Sequence, residues 1–175
     1  LETLFRRSFS GATVLGRNRE DELAARYPSV AYHVPCGDLP LRYRTAPADF
    51  NGRGPYLKAD ADAVARWRAS LARLGPGLKV GVSWRGGTPK NNQAGRSTRL
   101  EQWAGLFRAR NARFVSLQYG DCAGDLAYAR DTLGAELHHW PEAIADYDET
   151  AALVSALDLV VTVTNVNEAP TDIAL

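Results

Sequence analysis

LKVGVSWRGGTPKNNQAGRSTRLEQWAGLFRARNARFVSLQYG, Leu78 through Gly120, is the stretch whose reading decides the fold. It opens on an apolar β-type run, Leu78 to Trp84, that breaks abruptly into a loop rich in glycine, amide and base. Leu100, Trp103, Leu106 and Phe107 then recur at helical spacing, with Ser97 or Thr98 available as a cap, and ARFVSLQYG reads as a second strand. Strand, loop, helix and strand in that order predict a parallel crossover unit.

The pattern continues toward the C-terminus. GDLAYARDTLG predicts a helix closed by Gly134, and AELHHW a short third strand before Pro141. DYDETAALVSALDLVVTVT predicts an acidic helix start, an apolar helix and a fourth strand rich in valine and threonine. Asp146, Asp148 and Glu149 suit the positive end of that helix. The expected class is therefore α/β, with four strands in one parallel, doubly wound sheet.

Toward the N-terminus, PYLKADADAVARWRASLARLG predicts a helix in its second half, with Val64, Trp67, Leu71 and Leu74 on one side, and LGPG separates it from the first strand. SGATVLG reads as a strand and DELAARYP as a short helix. The organisation expected is a partial N-terminal lobe with an interlobe helix over 1–76, a sheet-bearing lobe over 77–165, and a tail over 166–175.

Composition narrows the function classes. An apolar content of 45% with 23% charge is that of a soluble globular protein, and a net charge of +1 exerts no global pull toward nucleic acid or membrane, so any anion site must be local. Cys36 and Cys122 lie far apart without Cys-x-x-Cys spacing, which predicts two free thiols in a reducing cytoplasm rather than a zinc knuckle or redox motif. The most apolar segment, Ala151 to Val163, is short and contains Asp158, so no membrane span is expected. The chain has no methionine at all, and we read it as a piece of something longer.

Between Ser83 and Leu100 the chain carries Arg85, Lys90, Arg96 and Arg99 and no carboxylate. The loop leaves the carboxyl end of the first strand, where open parallel sheets bind their ligands. Gly86 and Gly87 let backbone N–H groups approach a ligand closely, while Arg85, Lys90 and Arg96 are placed to neutralise a diphosphate. The loop is neither a Walker A sequence nor a Gly-x-Gly-x-x-Gly fingerprint, and the same composition also describes a surface loop without a ligand. Trp84 is placed to stack on a base or sugar, or else to pack in the core. Gln118 lies just past the second strand and has a turn-capping alternative. His138 and His139 alternate across a strand with no third ligand at metal spacing, which argues against a metal site. From Asp121 to Glu149 eight carboxylates face one base, Arg130, a pattern expected of a solvated face.

VGVSWRGG, Arg96-Ser97, FVSLQYG and DYDETAALVSALDLVVTVT together resemble the C-terminal catalytic region of bacterial tetratricopeptide-repeat proteins that carry a glycosyltransferase-like domain of GT-B type, related to heptosyltransferases. LFRRSFSGATV, LPLRYR and PYLKADADAVARWRASL extend the resemblance over roughly Leu1 to Asn165. It implies a two-lobed enzyme, metal-independent and without a cofactor, whose C-terminal lobe holds a nucleotide-diphosphate sugar and whose N-terminal lobe presents an acceptor, a protein or a glycan. By this resemblance the donor site comprises Ser83, Trp84, Arg85, Gly86, Gly87, Arg96, Ser97, Gln118, Asp148, Glu149 and Thr150. Guanidinium groups, bare amides and a helix start would stabilise the charge that builds on the departing diphosphate. No general base is assigned; His33 and Asp38 are present but nothing in their spacing recommends them.

The chain departs from that family at its end. Where the family continues with a Thr-x-x-His-Leu-x-Gly-Ala-type segment and two further strands, this sequence reads VTNVNEAPTDIAL, which resembles the linker between bacterial cadherin-like or immunoglobulin-like adhesin repeats. The resemblance thus implies a GT-B fold that is incomplete and a transferase site lacking parts, with a changeover near Val163 to Asn165. The alternative is a non-catalytic interaction module or fusion remnant leading into an extracellular repeat array. A sheet that ends early also leaves an edge expected to self-associate.

Overall fold

The computed structural model describes residues 1–16, 25–50, 54–86 and 94–163. The chain divides into two compact units, Leu1–Lys58 and Ala59–Leu175.

The first unit is built on helix α1 (Glu2–Ser8), which buries Leu4. Ser8 Oγ accepts the Lys58 N–H at 2.9 Å, and Phe9 stacks on Tyr56 with centroids 6.1 Å apart, so the two ends of the unit meet. Helix α2 (Pro40–Tyr43) starts on a proline, whose missing N–H costs nothing at a first turn. The strand expected in SGATVLG is not formed: Ser10–Gly11 turns, and no described residue of this unit is in a strand to pair with it. Of the helix expected in DELAARYP, Ala25 and Arg26 are helical and the earlier residues lie outside the described set.

The second unit carries the sheet. Helix α3 (Ala61–Ala72) is capped by Asp60, whose carboxylate accepts the Ala63 N–H at 2.9 Å, and it buries Ala63, Trp67 and Leu71 on one stripe. Strand β1 (Leu78–Ser83) follows. The helix expected from Thr98 is realised as a 3-10 turn over Leu100–Trp103 continued by α4 (Ala104–Phe107). Its first residue is preceded not by a serine or threonine cap but by Arg99, whose N–H is accepted by Gln102 Oε1 at 2.9 Å. Thr98 is occupied elsewhere, accepting from Trp103 Nε1 at 2.7 Å and donating to the Trp84 carbonyl at 3.1 Å. Strand β2 (Ala112–Ser116), helix α5 (Ala123–Asp131), strand β3 (Leu137–His139), helices α6 (Pro141–Ala145) and α7 (Tyr147–Ala156), and strand β4 (Leu159–Thr162) complete the unit. Gly134, at φ 64°, adopts the left-handed conformation that ends the α5 segment, as expected of a glycine there.

The four strands are all parallel, in the order β3-β2-β1-β4. Alternation along the strands divides the core in two. Val80, Val82, Trp84 and Phe114 pack with Leu100, Trp103 and Ala129 on one face. Val115 packs with Ala63, Trp67, Leu71, Ala152 and Leu153 on the other. Helices thus cover both faces, and α3 belongs to this second layer, through Trp67 and Leu71. The compact unit that carries the sheet accordingly begins before α3, at Ala59. The glycine-proline segment that read as a boundary is a turn between α3 and β1. Among the described residues no helix is long and apolar enough to cross a membrane.

Candidate functional site

In the order β3-β2-β1-β4 the chain steps outward from β1 to β3 and then returns to the opposite side of β1. The carboxyl ends of β1 and β4 therefore flank the crevice where doubly wound sheets bind ligands. Ser83, the last residue of β1, pairs in register with Thr162 of β4, and its carbonyl accepts the Val163 N–H at 3.2 Å.

Just beyond β1, two backbone hydrogen bonds fold residues 96–98 back against 84–86. Gly86 N–H donates to Arg96 O at 2.9 Å, Thr98 N–H donates to Trp84 O at 2.8 Å, and Arg85 and Ser97 form an antiparallel bridge. Arg85, Gly86, Arg96 and Ser97, chosen from separate parts of the sequence, are thereby brought together. Gly86 is required by space: a Cβ there would stand 2.9 Å from the Arg96 carbonyl oxygen. Arg96 is exposed. Gly87 and Lys90 lie outside the described residues.

The other expected site residues are engaged by the protein itself. Trp84 is 1% exposed and packs in the core, so its ring is not available to stack on a base or sugar. Gln118, 2% exposed, accepts the Arg85 N–H through Oε1 at 2.9 Å, and its Nε2 donates to the carbonyls of Arg85 at 3.2 Å and Tyr119 at 3.3 Å. Its amide positions Arg85 instead of facing a ligand. At the start of α7, Asp146 accepts the N–H groups of Asp148 at 2.6 Å and Glu149 at 3.2 Å, occupying donors that an anion would need. Thr150 Oγ1 donates to Ala143 O at 2.6 Å and Asp146 O at 2.9 Å. Glu149 accepts from Trp67 Nε1 at 2.8 Å and Arg66 Nη2 at 2.9 Å, tying α3 to α7.

One participant was not singled out from sequence. Asp125, in the first turn of α5, lies in the acidic stretch read as a solvated face, yet its Oδ2 is 3.0 Å from both Trp84 Nε1 and Arg85 Nη2. Arg85 Nη2 also donates to Asp121 O at 2.7 Å, whereas its buried Nε has no acceptor among the described residues. A cleft of about 400 Å³ opens beside the pair, lined by Arg85, Thr98, Arg99, Glu101, Asp125 and Tyr128. Burial, with Glu101 beside it, pushes the Tyr128 hydroxyl above its ordinary pKa, so it remains a neutral donor at neutral pH.

Behind this layer, Cys122 Sγ lies 3.8 Å from His139 Nε2. Burial raises the Cys122 thiol, more than the Ser116 hydrogen bond and Arg85 lower it, which makes it a packed thiol and not a nucleophile. Both cysteines are free, as expected. Among the described residues no group of three metal-ligating side chains forms.

No family model matches the chain, and no solved structure matches it. Among curated proteins it is similar to Protein FlbA of Caulobacter vibrioides, with 36% identity over 137 residues, covering 77% of this chain and 23% of that protein. The chain thus spans less than a quarter of the length of the curated relative it matches.

Proposed function

We propose that the crevice at the carboxyl ends of β1 and β4 binds the diphosphate of a nucleotide sugar, and that the unit belongs to a glycosyltransferase of GT-B type acting without a metal. The single observation that carries the reading is the convergence of Arg85, Gly86, Arg96 and Ser97 at the crossover point of the sheet. Two guanidinium side chains suit an oxyanion whose charge grows as the sugar leaves, while the Gly86 N–H is already given to the Arg96 carbonyl. Gln118 acts behind these groups as a positioning residue.

Calorimetric titration with uridine, guanosine and adenosine diphosphates tests the proposal. One of them binds the wild-type chain, and Arg85→Ala weakens it at least tenfold, the loss of about 1.5–3 kcal/mol expected for a charged hydrogen-bonding group. Absence of binding by all three removes the donor site.

A non-catalytic interaction module is the second reading. It is favoured by the apolar side chains that the first unit leaves in solvent, where Tyr32 is 91%, Leu41 77% and Tyr43 71% exposed. Failure of all three diphosphates to bind, together with association of the chain in solution that Val160→Lys leaves intact, would select it.

A further inference from the structure

We infer that Asp125 is an internal counter-anion which a diphosphate must displace from Arg85, so that this carboxylate sets the affinity of the site. The inference rests on the diphosphate reading above and adds to it the residue that opposes binding.

Asp125 directs a single oxygen at donors from two successive residues, the Trp84 indole and the Arg85 guanidinium, each at 3.0 Å. On Arg85, Nη2 is occupied by this oxygen and by the Asp121 carbonyl, while Nε is buried without an acceptor among the described residues. One edge of the guanidinium fork is therefore only half satisfied. A buried donor without an acceptor is unfavourable, and a tetrahedral oxyanion engages Nε and Nη2 together. Such an anion gains the vacant Nε and competes with Asp125 for Nη2.

The side chains of Arg85 and Asp125 are 30% and 35% exposed, so solvent reaches the pair from the adjoining cleft. Displacement does not strand the carboxylate either, because Asp125 keeps the Trp84 donor after Arg85 has left. An internal competitor of this kind lowers the apparent affinity by the fraction of molecules in which Arg85 is engaged.

Asp125→Asn is the discriminating variant: the amide oxygen still accepts from Trp84, but the charge that competes for Arg85 is gone. Inorganic pyrophosphate titrated calorimetrically into the 175-residue chain is expected to bind Asp125→Asn about threefold more tightly than wild type, as for a partly exposed ion pair. The gain shrinks at high salt. Arg85→Ala abolishes binding in both backgrounds. Equal or weaker binding by Asp125→Asn, with wild-type binding intact and dependent on Arg85, overturns the displacement alone. If neither chain binds pyrophosphate, the diphosphate reading falls and takes the displacement with it. Should Asp125→Asn fail to fold, the Arg85 Nε–H resonance of the wild-type chain decides: saturation with pyrophosphate shifts it if Nε gains an acceptor, and an unchanged resonance in a pyrophosphate-bound chain overturns the inference.

Discussion

Glu149 separates a packing role from a ligand-binding one, and its replacement can be worked out from the structure. Its carboxylate receives the Trp67 indole N–H at 2.8 Å and the Arg66 guanidinium at 2.9 Å, which joins α3 to α7 on one face of the sheet. Trp67 is buried, so Glu149→Ala leaves an indole N–H without a partner, at a cost of about 1.5–2 kcal/mol. The Arg66 side chain is 62% exposed, and losing that ion pair adds at most about 0.5 kcal/mol. The sum, about 2 kcal/mol, corresponds to a fall in melting temperature of roughly 6–12 °C for a unit of this size. Glu149→Gln keeps an oxygen for Trp67 and gives up only the charge, so it costs less than about 1 kcal/mol. Urea unfolding followed by tryptophan fluorescence measures both. Equal losses for the two variants, or unchanged stability with lost nucleotide binding, would refute the argument that Glu149 clasps α3 to α7.

Leu153 is fully buried between α7 and the sheet, and Leu153→Ala is expected to lower stability by about 3 kcal/mol in the same assay. With iodoacetamide at pH 8, mass spectrometry should find Cys36 alkylated and Cys122 protected. Burial holds the Cys122 thiol protonated above its ordinary range, and protection should fade only as the pH climbs through that raised pKa. β4 has β1 on one side and no strand on the other among the described residues, and it exposes Leu159 and Val160. Sedimentation should accordingly show concentration-dependent association that Val160→Lys suppresses.

Periodicity made the sheet legible. Val80 and Val82 alternate against Gly81, the run from Leu137 to His139 is short, and the valines of β4 sit where the strands were expected. It was weaker where geometry depends on partners far along the chain. SGATVLG has β-type composition but no strand among the described residues of its unit to pair with, and no local pattern reports that absence. The start of the crossover helix moved because Thr98 is bonded to Trp84 and Trp103, a competition that a capping preference does not encode. The same holds for the site. Glycine and arginine in the loop marked Arg85, Gly86, Arg96 and Ser97. That Gln118 grips the Arg85 backbone, or that Asp125 pairs with Arg85, follows from which helix the fold lays beside β1.

The neighbour relation between β1 and β4 also constrains synthesis. Val80 pairs with Leu159, so β1, an interior strand of the sheet, waits for the intervening chain before its second flank is covered. At about 5–20 residues per second that interval lasts roughly 4–16 s. Throughout it the nascent polypeptide presents β1 as an open ladder of unpaired amides beside Val80 and Val82. Premature termination ahead of Leu159 would make that exposure permanent, and such products should be the ones that cellular quality control removes.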